Sequence, residues 1–404
     1  MTIGVGGSTA EIELAKLSDM TGGTSPITLD EYQSRIQKAQ RLMAEQGLSA
    51  IYLDAGSNLR YFTGMQWKKS ERMVGAFIVQ SGPPQFIAPT FEIGTLEQFM
   101  EVQGPVHGWE EHECPYALSV KILSEHDMND GVVGISEDTP FFISNGLAKA
   151  APALTFDSAT AVTRTCRQQK SMHELTLMTR AKEMTLAVHK ATAAMLREGI
   201  TSAEVGDFLD AAHRKVGAPK GSYFKIVLFG PDSSYPHGVR HHKPLEDGDM
   251  VLIDTGCQCH DYISDMTRSY VFGTPSAEQR RVWDAEKRAQ IAAFEAAQIG
   301  VRCGDADLAA RKSLEADGFG PGYKTPGLPH RTGHGIGLDI HEWPYLNWGD
   351  DTPLAPGMCF SSEPMICKYG EFGVRLEDHF YMAADGPVWF TQPSHSIDEP
   401  FKGV

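Results

Sequence analysis

No stretch of this 404-residue chain approaches the roughly 18 consecutive apolar residues that a membrane-crossing helix needs. The N-terminus, Met1-Thr-Ile-Gly-Val-Gly-Gly-Ser8, has neither a basic leader nor a long apolar core, so no secretory signal is expected. Positive charge is scarce as well. Lys and Arg number 36 against 52 Asp and Glu, leaving a net charge of −16 that argues against nucleic acid or an anionic membrane as partner. There is no Cys-x-x-Cys pair, and Cys114, Cys166, Cys257, Cys259, Cys303, Cys359 and Cys367 form no disulfide framework. Cys257-x-Cys259, with no second pair, reads as packing rather than as a zinc site. These absences point to a reducing cytoplasm.

The remaining composition is that of an ordinary globular protein, 41% hydrophobic and 22% charged, and the length suggests two domains. Residues 1–27 are rich in Gly, Ser and Thr and read as loose, apart from a short helical piece near Ala10–Leu17. A small α/β domain is expected over 28–162. Its signals are a helix over Leu29–Gln46 ended by Gly47, a strand at Ala50–Leu53, a short helix at Ser57–Thr63, and strands at Met73–Val79 and Gln85–Ala88. From 163 to 404 the pattern changes. Helical periodicity runs from Met172 to about Gly199, and Thr201-Ser-Ala-Glu204 caps a second helix. Strands follow at Met250–Thr255 and Ser264–Phe272. The plan then repeats, with Ser276-Ala-Glu-Gln279 capping a long helix, a shorter helix from about Asp305 to Asp317, and strands at Met358–Ile366 and Val374–Tyr381. Glu198-Gly-Ile-Thr-Ser-Ala-Glu-Val205 is similar to Ile299-Gly-Val-Arg-Cys-Gly-Asp-Ala306, which suggests two helix–helix–hairpin halves about a pseudo-twofold axis.

Five residues in the last third stand out as potential metal ligands. They are Asp254 in Val251-Leu-Ile-Asp-Thr-Gly256, Asp265 in Ser264-Asp-Met-Thr-Arg-Ser269, His334 in Gly333-His-Gly-Ile-Gly337, Glu363 in Ser362-Glu-Pro364 and Glu377 in Gly373-Val-Arg-Leu-Glu-Asp378. Alone, each has a plainer role: a turn-former after an apolar strand for Asp254, a turn cap for Asp265, solvated charge for Glu377. Together, four carboxylates and one imidazole are too many for one structural zinc. Hard oxygen ligands with one nitrogen suit two divalent ions sharing carboxylates. Such a pair, roughly 3.5–4 Å apart, activates water at neutral pH and polarises a carbonyl, which is chemistry that hydrolyses amides. Thr267, two residues after Asp265, is placed to hydrogen-bond one of the carboxylates. Arg375, two before Glu377, is expected on the same strand face.

As a set, these motifs resemble the metal-dependent pita-bread peptidases, the family of methionine aminopeptidase, aminopeptidase P, prolidase and creatinase. Xaa-Pro dipeptidases are the nearest likeness. The resemblance covers about 230 C-terminal residues, and Asn58-Leu-Arg-Tyr-Phe-Thr-Gly64 extends it weakly to the N-terminal domain. It implies an α/β (α+β) fold, with a creatinase-like N-terminal domain followed by a pita-bread catalytic domain. It also implies that Asp265 and Glu377 bridge two ions, that Asp254 serves one and His334 the other, and that Glu363 ligates metal and handles the proton of the attacking water. Mn²⁺ is the expected ion, with Zn²⁺ and Co²⁺ as competitors. By the same resemblance His237 (in Tyr235-Pro-His-Gly238), His330 and His341 (in His341-Glu-Trp-Pro344) surround the substrate, and Arg375 helps to hold the substrate or the ligand network. The implied reaction is hydrolysis of Xaa-Pro dipeptides. Aminopeptidase P-type cleavage of longer peptides, a metal-dependent lyase and a non-catalytic scaffold are the alternatives.

One departure bears on substrate length. Tyr345 follows His341-Glu-Trp-Pro344 where some prolidases carry Arg, so a charge for the substrate carboxylate is missing there. Arg240, His241 or His242 in Gly238-Val-Arg-His-His-Lys243 are candidates to replace it, and a solvated loop is the plainer reading of that stretch. The resemblance further implies a homodimer, with an N-terminal domain covering the partner's cleft and Trp67 near its opening. Packing of Trp67 within its own domain is the alternative.

Overall fold

The Thr28 hydroxyl accepts from the Glu31 amide and starts the helix Leu29–Gln46, and Gly47, at φ 69°, ends it in the left-handed conformation that favours glycine. This helix opens the smaller of two compact units in the computed structural model, which describes residues 1–404. The smaller unit is Pro26–Arg167, and the larger combines Met1–Ser25 with Gln168–Val404.

In the smaller unit a six-stranded sheet has the order Val106–Trp109, Gln85–Pro89, Gly75–Val79, Leu48–Asp54, Gly131–Ile135, Leu154–Ser158. It is mixed, antiparallel about Gly75–Val79 and parallel toward both edges. Tyr52, Phe77, Ile87, Val133 and the helix residues Ile122, Leu123, Ile143 and Leu147 form its core. The Asn58–Gly64 motif is structural here. Asn58 Nδ2 donates to Ser136 Oγ, the Tyr61 hydroxyl donates to Cys166 O, and the Arg35 guanidinium stacks 4.1 Å from the Tyr61 ring. Trp67 packs edge-on to Phe99 within this unit, ring centroids 6.5 Å apart.

The first 25 residues, expected to be loose beyond one short helix, are instead bound into the larger unit. Thr2 and Ile3 donate their amides to Gly273 O and Asp398 O, Gly6 and Ser8 to Ala193 O and Ala194 O, and Met20 to Val216 O. Polar composition suggested solvation. The backbone donors instead find carbonyls at the end of a helix and in neighbouring loops.

The larger unit is built on two helix pairs. Capping boxes at Ser171/Glu174, Thr201/Glu204 and Ser276/Gln279 start the helices Met172–Met195, Ser202–Lys215 and Ala277–Ala296. The helix Cys303–Ala316 completes the second pair. Each pair is followed by a two-tier hairpin. In the first, base strands Met250–Gly256 and Met266–Val271 pair antiparallel, and a short tip joins Gln258–Cys259 to Tyr262–Ile263. In the second, base strands Cys359–Ser362 and Asp378–Ala383 carry a tip made of Met365–Lys368 and Phe372–Arg375. This is the repeat hinted at by the sequence, now visible in three dimensions. Among the strands not anticipated are Phe224–Phe229, which lies beside Met250–Gly256, and Gly333–Gly335, Glu342–Leu346 and Gly386–Trp389, which join Cys359–Ser362 and Asp378–Ala383 in a five-stranded sheet.

Candidate active site

Strand breaks bring the carboxylates together. Asp265 was expected inside one strand, but it sits between the tip strand Tyr262–Ile263 and the base strand Met266–Val271. Glu363 lies between Cys359–Ser362 and Met365–Lys368, where Pro364 supplies no amide to a ladder. Glu377 lies between Phe372–Arg375 and Asp378–Ala383, so it does not share a strand with Arg375. Only Asp254 is within a strand. A regular strand alternates its side chains between faces, and the breaks free three carboxylates to converge.

The donor atoms of Asp265, His334 and Glu377 lie within 4.8 Å of one another, and all three residues are buried. His334 Nε2 is 3.6 Å from Asp265 Oδ2 and 3.0 Å from Glu363 Oε1. Asp254 joins through Arg375, whose Nη2 donates to Asp254 Oδ2 at 2.6 Å. Thr267 meets its expectation, donating to Glu377 Oε2 at 2.8 Å while accepting from Arg375 Nε at 3.0 Å. His330 lies four residues before His334 in a loop rather than a helix. Its Nδ1 donates to Arg331 O at 2.7 Å, and its Nε2 is buried with no partner. The His341 ring meets that of His334 edge to face, centroids 4.3 Å apart.

A cavity of about 560 Å³, within the range of small-molecule sites, is lined by Pro236, His237, Tyr323, Pro329, His330, Arg331, His341, Asn347, Glu363 and Arg375. Glu363 is where the buried cluster meets this cavity. Arg240, His241 and His242 are exposed and are not among the lining residues.

The electrostatics of the cluster favour a bound cation. Burial, and then repulsion from Asp254 and Glu363, holds the Asp265 carboxyl well above its ordinary range. Glu377 is raised in the same way, by burial and by Asp265, Glu363 and Asp254. Asp254 is raised by burial, partly offset by Arg375. Burial also pushes Glu363 up, but its hydrogen bond to His334 and the nearby positive charge outweigh that and hold it low. This last pairing requires a proton on His334 Nε2. Because Nδ1 donates to Gly335 O at 2.9 Å, Nε2 of the neutral ring is a free lone pair. Asp254 Oδ1, Asp265 Oδ1 and Glu377 Oε1 are buried without any hydrogen-bond partner. Uncompensated carboxylates are expensive to bury. Divalent cations bound to these oxygens and to the His334 lone pair would remove that cost, so the residues fit such ions.

Two helices hold the breaks in place, through buried residues the sequence reading missed. On Met172–Met195, three side chains at helical spacing reach the segment around Asp265. Lys182 Nζ is 3.5 Å from Ile263 O, Thr185 Oγ1 is 2.8 Å from Ser264 Oγ, and His189 Nε2 donates to Met266 O at 2.9 Å. Burial lowers Lys182 to about 8, and Cys359, Asp265 and Glu377 work against that. On Ala277–Ala296, Gln290 Nε2 donates to Ser362 O, Leu376 O and Asp378 Oδ2, bracketing both Glu363 and Glu377. Between the hairpins, Arg268 donates to Glu377 O at 2.8 Å and to Asp378 Oδ1 at 2.6 Å.

Residues 176–384 match the metallopeptidase family M24, and residues 35–169 match the creatinase/prolidase N-terminal domain. The chain belongs to family M24. It is 33% identical over 361 residues to the putative dipeptidase YkvY of Bacillus subtilis, covering 89% of this chain and 98% of that one. Among solved structures, dipeptidase PepE from Mycobacterium ulcerans is similar with a TM-score of 0.84 and 31% identity, covering 92% of this chain and 99% of PepE. A prolidase from Thermococcus sibiricus is similar with a TM-score of 0.81 and 28% identity, covering 89% and 97% of the respective chains. As a member of M24 the protein is a hydrolase, with a creatinase-like N-terminal unit and a pita-bread catalytic unit. No helix is long and apolar enough to cross a membrane.

Proposed function

We propose that this M24 enzyme hydrolyses Xaa-Pro dipeptides at a site formed by Asp254, Asp265, His334, Glu363 and Glu377, which hold two divalent ions. The observation that carries the reading is the junction at Glu363. A cluster of buried, partner-poor carboxylates reaches, through that residue, a cavity lined by His237, His330, His341 and Arg375. The names dipeptidase and prolidase on similar chains agree with it. Asp265, His334 and Glu377, whose donor atoms lie within 4.8 Å of one another, would hold the ions together with Asp254 and Glu363. Mn²⁺ is the first choice for a carboxylate-rich set, ahead of Zn²⁺ and Co²⁺. When bound, ions of this kind supply an activated water and a polarised carbonyl.

The chain's own groups do the rest. Glu363 takes the proton of the attacking water and delivers it to the leaving imino nitrogen. His330, whose Nε2 has no partner, lines the cavity, and His237 and His341 flank the substrate, where they can hydrogen-bond the oxyanion or the peptide. Arg375 positions Asp254 and Thr267. The seven free cysteines agree with a reducing cytoplasm.

The test is an assay of metal-reconstituted protein on Xaa-Pro dipeptides, Xaa-Pro tripeptides and longer Xaa-Pro peptides. The expected result is a higher kcat/KM for the dipeptides. Preference for the longer peptides would replace this reading with aminopeptidase P-type cleavage. Hydrolysis of none of them would remove peptidase activity and leave the lyase or scaffold alternatives.

A further inference from the structure

A dipeptidase must recognise a free carboxylate one residue beyond the scissile bond, and the position where some prolidases carry Arg is Tyr345 here. The cavity supplies two guanidinium groups. Arg375 is buried and committed, donating to Asp254, Thr267 and Pro236 O. Arg331 differs. It is half-buried on the cavity wall, its guanidinium lies 4.2 Å from the centroid of the Tyr345 ring, and no hydrogen bond or ion pair occupies its side chain. Stacking engages only the face of a guanidinium. The in-plane N–H fork, which matches a carboxylate in geometry, stays available.

The segment carrying Arg331 is also held rigidly. Asp307 and Arg311, both buried, pair at 2.9 Å. Asp307 Oδ1 accepts from the amide and hydroxyl of Thr332, and Arg311 donates to Gly322 O, Leu328 O and His330 O. On the far side, the Glu363 amide donates to Thr332 O at 2.8 Å, which ties the Arg331 segment to the residue where hydrolysis is proposed. A free charge, supported by an aromatic ring and a fixed backbone, thus shares the cavity with Glu363.

We infer that Arg331, stacked on Tyr345, binds the C-terminal carboxylate of the substrate and thereby favours dipeptides over longer chains. This rests on the Xaa-Pro dipeptidase reading. The pair takes over the role for which Arg240, His241 and His242 were candidates. A longer peptide has an amide at that place, which leaves the guanidinium desolvated without a counter-charge.

The experiment compares Ala-Pro with its C-terminal amide on the metal-loaded wild type, Arg331→Met and Arg331→Lys, with fold checked by circular dichroism and metal content matched. The wild type should prefer the acid by about tenfold or more in kcat/KM, in line with a charge-assisted hydrogen bond. In Arg331→Met that ratio should fall by about tenfold or more, mainly through a raised KM for the acid, and Arg331→Lys should recover part of it. An acid-to-amide ratio unchanged by Arg331→Met overturns the inference while the dipeptidase reading stands. So does a wild type that cleaves acid and amide equally well. Hydrolysis of neither substrate by the wild type overturns the dipeptidase reading, and the inference with it.

Discussion

Glu363→Gln is expected to lower kcat for an Xaa-Pro dipeptide by at least about 10²-fold, the lower end of general acid–base contributions. The exchange is nearly isosteric and keeps the Ser361 hydrogen bond to the side-chain oxygen possible, so the local packing survives. What disappears is the ability to accept a proton from water and return it to the leaving nitrogen. Glu363 is the one carboxylate of the five-residue set that also lines the cavity, so no other carboxylate of the set is placed to take over. The check is steady-state kinetics on a variant with wild-type circular dichroism and wild-type metal content. Near-normal turnover in such a sample would remove Glu363 from the proton transfer.

The second large effect is on stability. Arg268→Met should destabilise the larger unit by about 3–5 kcal/mol, the cost of leaving one member of a buried ion pair uncompensated. Arg268 and Asp378 are both almost wholly inaccessible, with side-chain exposures of 1% and 0%, and their contact is 2.6 Å. Burial raises the Asp378 carboxyl, and Arg268 is the largest influence opposing that. The same guanidinium holds Glu377 O, so the loss reaches the ligand cluster. Arg268→Met combined with Asp378→Leu should recover part of the loss, because the orphaned charge goes with its partner. Urea unfolding of the larger unit reads both variants. A loss below about 1 kcal/mol for the single variant would mean that water or a rearranged neighbour replaces Arg268.

The helices were legible because their starts are written locally. Thr201 and Ser276 each have Glu or Gln three residues on and both form the expected capping boxes, while Ser171 forms a third that had not been noted. The five-residue cluster was legible through its motifs, and the structure gathers those residues about His334, Glu363 and Arg375. The strand breaks at Asp265, Glu363 and Glu377 were not, since the strand-forming residues beside each carboxylate read as one continuous strand. Only Pro364 gave a local sign of an interruption. Lys182, Thr185, His189 and Gln290 went unnoticed because a polar residue on a helix is ordinarily solvated, and their partners lie far away in sequence. Polar residues recurring on an otherwise apolar helix face would have been the clue. The Gly/Ser/Thr-rich first 25 residues misled for a related reason. Composition records side chains, whereas that segment is held largely by backbone donors.

The most direct test of the account is to measure metal content and Ala-Pro hydrolysis in the same samples, as the protein is stripped with a chelator and reloaded with Mn²⁺. If the five residues hold two catalytic ions, activity falls away as the metal is removed and returns as content approaches two ions per chain. Asp265→Asn fails to reach that content. Undiminished hydrolysis in a sample shown by elemental analysis to be free of metal would contradict the account.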